Sequence, residues 1–226
     1  MAVLSVGTSG SGKSHFVGSF PDLLVLSSDQ GGATLSRIKP QPRILRFTMG
    51  DHVSDIGTWL LDAYEQDAPP FDRPTQTIAV ETMTSMSTLM EFEVCMYPPD
   101  KKTREGNQLF LSDYNLIKNR LIRLVLQLLS IPVNIIVTVQ PETETTDGDV
   151  FREIPSVTGH KTGPKLPEHF DVVIYHKHLS QKNKFVGYVK PLALFPFSRV
   201  RKPGGLGDFA GVIENPSHKR LVELLK

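Results

Sequence analysis

Short runs in which nearly every residue is apolar alternate along this chain with longer stretches whose apolar residues recur every three or four positions. The apolar runs Ala2 to Val6, Leu23 to Ser27 (LLVLS), Thr77 to Glu81 (TIAVE) and Val133 to Val139 (VNIIVTV) predict strands buried on both faces, with a further strand at Ile44 to Phe47. Helical spacing marks His52 to Glu65, with apolar residues at 53, 56, 59, 60, 63 and 64, and also Ser85 to Met96. Ser112 is placed to cap a long helix through about Leu129. Its stripe is Tyr114, Ile117, Leu121, Leu124 and Leu128, and Pro132 ends it. Asp171 to His176 and Phe185 to Val189 read as closing strands, and Asn215-Pro216 as the cap of a last helix ending near Leu225. Between them Gln140 to His169 reads as one long loop, a length that is either functional or disordered in a compact domain. Strands alternating with helices predict an α/β fold: a mostly parallel, twisted sheet with helices on both faces, in a single domain over residues 1–226.

Composition changes this picture little. The chain is 39% hydrophobic and 22% charged, and no apolar run approaches a membrane span. Cys95 is the single cysteine, so no internal disulfide forms, as expected of a reducing cytoplasm. With its first strand at residue 2, the chain is expected to carry no leader peptide. The formal net charge of +1 means that a polyanion would have to be held by local patches.

The chemistry begins at Gly7-Thr8-Ser9-Gly10-Ser11-Gly12-Lys13-Ser14, which matches G-x-x-x-x-G-K-[ST] at every fixed position. A strand precedes it, and His15 to Ser19 continues it as a helix until Pro21, the context a phosphate-binding loop requires. Glycines let backbone N–H groups approach a phosphate unobstructed by Cβ, and the helix N-terminus adds unpaired donors and a positive dipole end. Gly7 to His15 would therefore cradle ATP, with the Lys13 ammonium on the β- and γ-phosphates and the Ser14 hydroxyl on Mg²⁺.

Phosphoryl transfer also needs a metal-holding acid and a group to orient water. Glu81, ending an apolar strand, is the candidate acid, holding Mg²⁺ through a water; the alternative is a strand-end acid facing solvent. Asp29 is the candidate for polarising water, or else a turn acid in Asp29-Gln30-Gly31-Gly32. Gln140, at the end of VNIIVTV, is a neutral amide able to sense a γ-phosphate, or only a polar loop entry.

The order GTSGSGKS, LVLSSDQGG, TIAVETMTSM, IIVTVQPETE, LPEHFDVVIYH resembles the RecA-type ATPase core, in particular the single-domain proteins that bacteriophages encode as recombinases or annealing factors. The resemblance spans residue 2 to about 190. It implies a catalytic carboxylate at Asp29, where glutamate is commoner, a Walker B acid at Glu81, where aspartate is usual, and a nucleotide-to-DNA relay at Gln140. It also implies single-stranded DNA on two loops. The first would use Lys101, Lys102 and Arg104, and the second Lys161 and Lys165, since its acidic half from 142 to 153 repels phosphate. The other reading of both basic clusters is a solvated mobile loop. Further implications are a homo-oligomer, ring or filament, in the host cytoplasm, with a single-strand-binding protein as a further partner. In such assemblies the neighbour supplies cations to the γ-phosphate. Arg199, Arg201 and Lys202 are the candidates here, against the alternative of a solvated basic turn.

The expected function is thus a DNA-stimulated, Mg²⁺-dependent ATPase of phage-type recombination or annealing. Two other functions use the same loop: a P-loop kinase for a nucleotide or small molecule, and a nucleotide-gated adaptor that hydrolyses little.

Overall fold

The computed structural model describes residues 1–28, 34–98, 108–146, 149–159, 161–202, 205–206 and 209–226. Strands β1 (Ala2–Val6), β2 (Leu23–Ser27), β3 (Arg43–Arg46), β4 (Thr77–Glu81), β5 (Asn134–Val139) and β8 (Val172–Leu179) run parallel, in the spatial order β8-β1-β5-β4-β2-β3. Antiparallel strands β9 (Lys184–Tyr188) and β11 (Val212–Glu214) extend the β8 side, and β10 (Arg199–Val200) pairs with the start of β8. A separate hairpin is formed by β6 (Pro141–Thr146) and β7 (Asp149–Pro155).

Period-two alternation divides the core between the two faces of the sheet. Leu4, Val6, Leu24, Leu26, Val80, Val137 and Tyr175 meet helices α2 (Ile56–Glu65), α3 (Met83–Met96) and α4 (Leu111–Ser130) on one side. On the other, Val3, Val25, Ala79, Ile136 and Ile174 meet α1 (Lys13–Val17) and α5 (His218–Leu225). Of the four runs read as continuously apolar, β1, β2 and β4 are buried throughout, and β5 is buried except for the half-buried Asn134.

Four expectations are corrected. Gln140 to His169 is not one loop, because Pro141–Pro155 pairs with itself as the β6–β7 hairpin and Leu166–His169 forms a 3-10 turn. Helix α1 has five residues, stopping at Gly18 rather than reaching Ser19, so the dipole argument loses most of its weight. Helix α4 starts at Leu111, and its first turn is closed by the buried Asp113 carboxylate, which accepts from the Phe110 N–H at 2.7 Å; Ser112 is not its cap. The last helix is capped by Ser217, whose hydroxyl accepts from Arg220 N–H, while Asn215 sits in the left-handed region at φ 45°.

Candidate nucleotide site

The parallel strands all deliver their C-terminal ends to one edge of the sheet, and the glycine-rich loop lies there, between β1 and α1. Gly12 precedes α1 with φ 96°, and a Cβ on it would stand 2.7 Å from the Phe185 ring, so only glycine fits this turn. Lys13 is buried, and its ammonium donates to the carbonyls of Gly7 and, at 2.9 Å, Thr8. The loop thus holds its own cation where phosphate oxygens would replace those carbonyls.

Glu81 reaches the same place from β4, two strands away across β5. The Ser14 hydroxyl donates to its Oε1 at 2.9 Å, joining residues 67 positions apart. Glu81 is buried, which excludes the solvent-facing alternative for this side chain. After it the peptide to Thr82 is cis, and the Thr82 hydroxyl caps α3 by accepting from Ser85 N–H. A cap of this kind stabilises a helix by about 1 kcal/mol. The resulting cleft, about 380 Å³, is lined by loop residues Thr8, Ser9, Gly10, Gly12, Lys13, Ser14 and His15, and by Thr34, Glu81, Thr82, Gln140 and Phe185. Paired hydroxyl and carboxylate oxygens are the hard donors that Mg²⁺ takes, so Ser14 and Glu81 fit that ion.

Gln140 is exposed at the cleft, and its backbone is fixed by a joint that the sequence did not reveal. Its N–H donates to Thr84 Oγ1 at 3.0 Å, and that hydroxyl donates to Ser156 O at 2.7 Å. Ser156 N–H returns to Gln140 O at 2.7 Å. One side chain from α3 therefore clamps both ends of the hairpin beside the cleft. Thr158 continues the attachment, its N–H donating to Ser87 Oγ and its hydroxyl to Glu91.

Two more residues escaped the sequence reading. Phe185, from β9, forms an aromatic wall with His178, whose ring centroid is 4.7 Å away, and with His15 at 6.3 Å. His176 is completely buried beneath the loop, its ring 5.0 Å from that of Phe16, and neither ring nitrogen has a hydrogen-bond partner among the described residues. Burial, and then the Lys13 charge, push its pKa down to about 3, so the imidazole is neutral. Nothing in the strand pattern of Asp171 to His176 signalled this proximity.

Of the remaining candidates, Asp29, Lys101, Lys102 and Arg104 lie outside the described residues. Lys161 and Lys165 are exposed, but Lys165 faces a different groove, with Lys118 and Arg123 of α4. Arg199 and Arg201 are not at the cleft of their own chain. They sit where β8 begins, Arg199 donating to the carbonyls of Pro167 and Phe170 and Arg201 to Glu168 O. Burial and the neighbouring Arg201 lower the Arg199 pKa, opposed by Glu168 and Asp171. Lys202 donates to Leu224 O at 3.0 Å.

A mostly parallel sheet with a lysine-bearing glycine loop at its C-terminal edge, faced by a buried acid from a nearby strand, defines a P-loop nucleoside triphosphatase core. The family profile described as "AAA domain" (AAA_24) matches residues 1–196, and the chain belongs to that family of P-loop ATPases. Among curated proteins none matches the sequence. Among solved structures, a KaiC-like protein from the hyperthermophilic archaeon Pyrococcus horikoshii OT3 is similar at 12% identity and a TM-score of 0.46, over 83% of this chain and 76% of that one. Among the described residues, no helix is long and apolar enough to cross a membrane.

Proposed function

We propose that this chain, acting as one unit, hydrolyses ATP with Mg²⁺ and uses nucleotide state to control contact with single-stranded DNA in a homo-oligomer of phage-type recombination or annealing, in the host cytoplasm. The observation that carries the nucleotide reading is the convergence of Lys13, Ser14, Glu81 and Gln140 on one cleft from three adjacent strands. Lys13 leaves the carbonyls of Gly7 and Thr8 for the β- and γ-phosphates. Ser14 and Glu81 would hold Mg²⁺, which would supply charge neutralisation on the phosphate oxygens. Asp29 orients the attacking water. Gln140 reads the γ-phosphate and, through its clamped backbone, passes that reading to Thr84 and the hairpin. Phe185 offers a face on which the base can stack. Arg201, exposed in its own chain, is the cation available to a neighbour's phosphates.

The DNA reading rests on charge: Lys161 follows the clamped segment, and Lys101, Lys102 and Arg104 cluster in sequence. ATP turnover is therefore expected to rise when single-stranded DNA is added, and DNA affinity to fall steeply as salt rises, because condensed counterions are released on binding. Triple alanine replacement of Lys101, Lys102 and Arg104 should flatten the slope of affinity against salt, measured by fluorescence anisotropy. An affinity indifferent to salt removes nucleic acid from the function.

One observation favours a nucleotide-gated adaptor as the second reading: a glutamate, not the usual aspartate, stands against Ser14. The Glu81→Gln variant separates the two. Steady-state phosphate release should drop by about 10²-fold or more with ATP still bound if the carboxylate serves catalysis. Unchanged, slow release in both proteins favours the adaptor.

A further inference from the structure

Helix α4 and the 3-10 turn at Leu166–His169 enclose a groove of about 630 Å³ that no part of the proposed chemistry uses. Lys118, Arg123 and Lys165 stand around it against the single carboxylate of Glu168. Ile122 and Leu126 give it an apolar strip, Leu126 being 50% exposed. The β6–β7 hairpin has the opposite character. Among its described residues the hairpin carries four carboxylates: Glu144 is paired with Arg152 and Glu153 with Lys177, while Glu142 and Asp149 are exposed. Phe151 stands 57% exposed beside them.

We propose that the groove of one copy receives the β6–β7 hairpin of a second copy, joining the molecules head to tail. The inference rests on the homo-oligomer in the proposed function and names the surfaces that build it. Charge complementarity gives direction and register, while Phe151 and the Ile122–Leu126 strip give each side an apolar anchor. The lengths agree. The groove wall from Lys118 to Ser130 spans about 18 Å at 1.5 Å per helical residue. The six- and seven-residue strands of the hairpin span about 20 Å.

The two surfaces of one molecule do not reach each other. The hairpin springs from the end of β5 and is held over the upper part of β8, where Tyr175 Oη donates to Glu153 O at 3.1 Å and Lys177 pairs with Glu153 at 2.5 Å. The groove lies at the opposite edge, where α4 ends before β5 starts and the 3-10 turn precedes β8. An interface made of two different patches is heterologous, so each bound copy presents a fresh hairpin and a fresh groove. It closes as a ring or grows as a filament.

The test is charge reversal read by sedimentation velocity over a range of protein concentration, with and without ATP. Lys118→Glu with Lys165→Glu should weaken self-association about tenfold or more, and Glu142→Lys with Asp149→Lys should do the same. A chain carrying all four changes restores opposite charges and should associate again, as should an equimolar mixture of the two double variants. That recovery also shows that the variants fold. A wild-type chain that stays monomeric at all concentrations overturns the proposal. So does association indifferent to the reversals, which leaves an oligomer built on other surfaces. Groove variants that lose DNA binding while assembling normally assign the groove to nucleic acid and equally overturn it. ATP binding by isolated subunits is measured separately by isothermal titration, so failure of the nucleotide site remains distinguishable from failure of the interface.

Discussion

A Lys13→Ala variant is expected to lose ATP binding and turnover while keeping the fold. In the wild-type chain the ammonium is buried and donates to the carbonyls of Gly7 and Thr8 in its own loop, beside the cleft. Charge-assisted hydrogen bonds to phosphate are about twice as strong as neutral ones, and loss of one preorganised donor to transition-state charge costs about 10²–10³ in rate. The side chain lies at the edge of the core, and Thr8 is exposed to water, so the freed carbonyl there is readily solvated. Isothermal titration with ATP and Mg²⁺, phosphate release and circular dichroism together check the result. Wild-type turnover in the variant would sink the phosphate-loop assignment.

Stability is expected to fall as pH drops below about 6.5, with His176 as a main cause. Its folded pKa is about 3 and its ordinary value 6.5, so between these limits the unfolded chain binds a proton that the folded chain refuses. The contribution is complete above 6.5 and is lost as pH falls toward 3, with a slope of at most about 1.4 kcal/mol per pH unit. The ring faces Phe16 and the Lys13 charge, both of which disfavour its protonated form. Denaturant midpoints followed from pH 7.5 to 4.5 should decline less steeply for His176→Asn than for wild type. Parallel curves would exclude the role. Should the variant not fold, the ring-proton resonances of His176 in the wild-type protein give the same answer by staying unshifted down to pH 4.5.

The parts of the fold legible in the sequence were those under the strongest constraint. Strands β1, β2 and β4 are buried on both faces, which forces continuous apolar runs, and the glycine loop is forced by backbone geometry at Gly12. The Ser14–Glu81 contact was legible as an order of motifs but not as a hydrogen bond, since nothing local joins residues 67 apart. The hairpin was illegible for a physical reason. Glu142, Thr143, Glu144 and Thr145 are polar on both faces, so its pairing leaves no period-two signal. His176 was illegible because a polar residue at a strand end reads as a boundary, whereas here the strand continues to Leu179 and keeps it inside.

The position of the cleft follows from connectivity rather than from any single residue. Leaving β1, the chain turns to one face of the sheet and enters α1; leaving β4, it turns to the other and enters α3. Between them β5 passes into the hairpin. Where the strands on either side of β5 send their continuations to opposite faces, a crevice opens at a topological switch point. The loop residues, Gln140 and Glu81 border this fork from β1, β5 and β4 in turn. Gln140, exposed at that fork, can be exchanged without repacking either hydrophobic layer, so the fork leaves room for variation there at little cost to the scaffold.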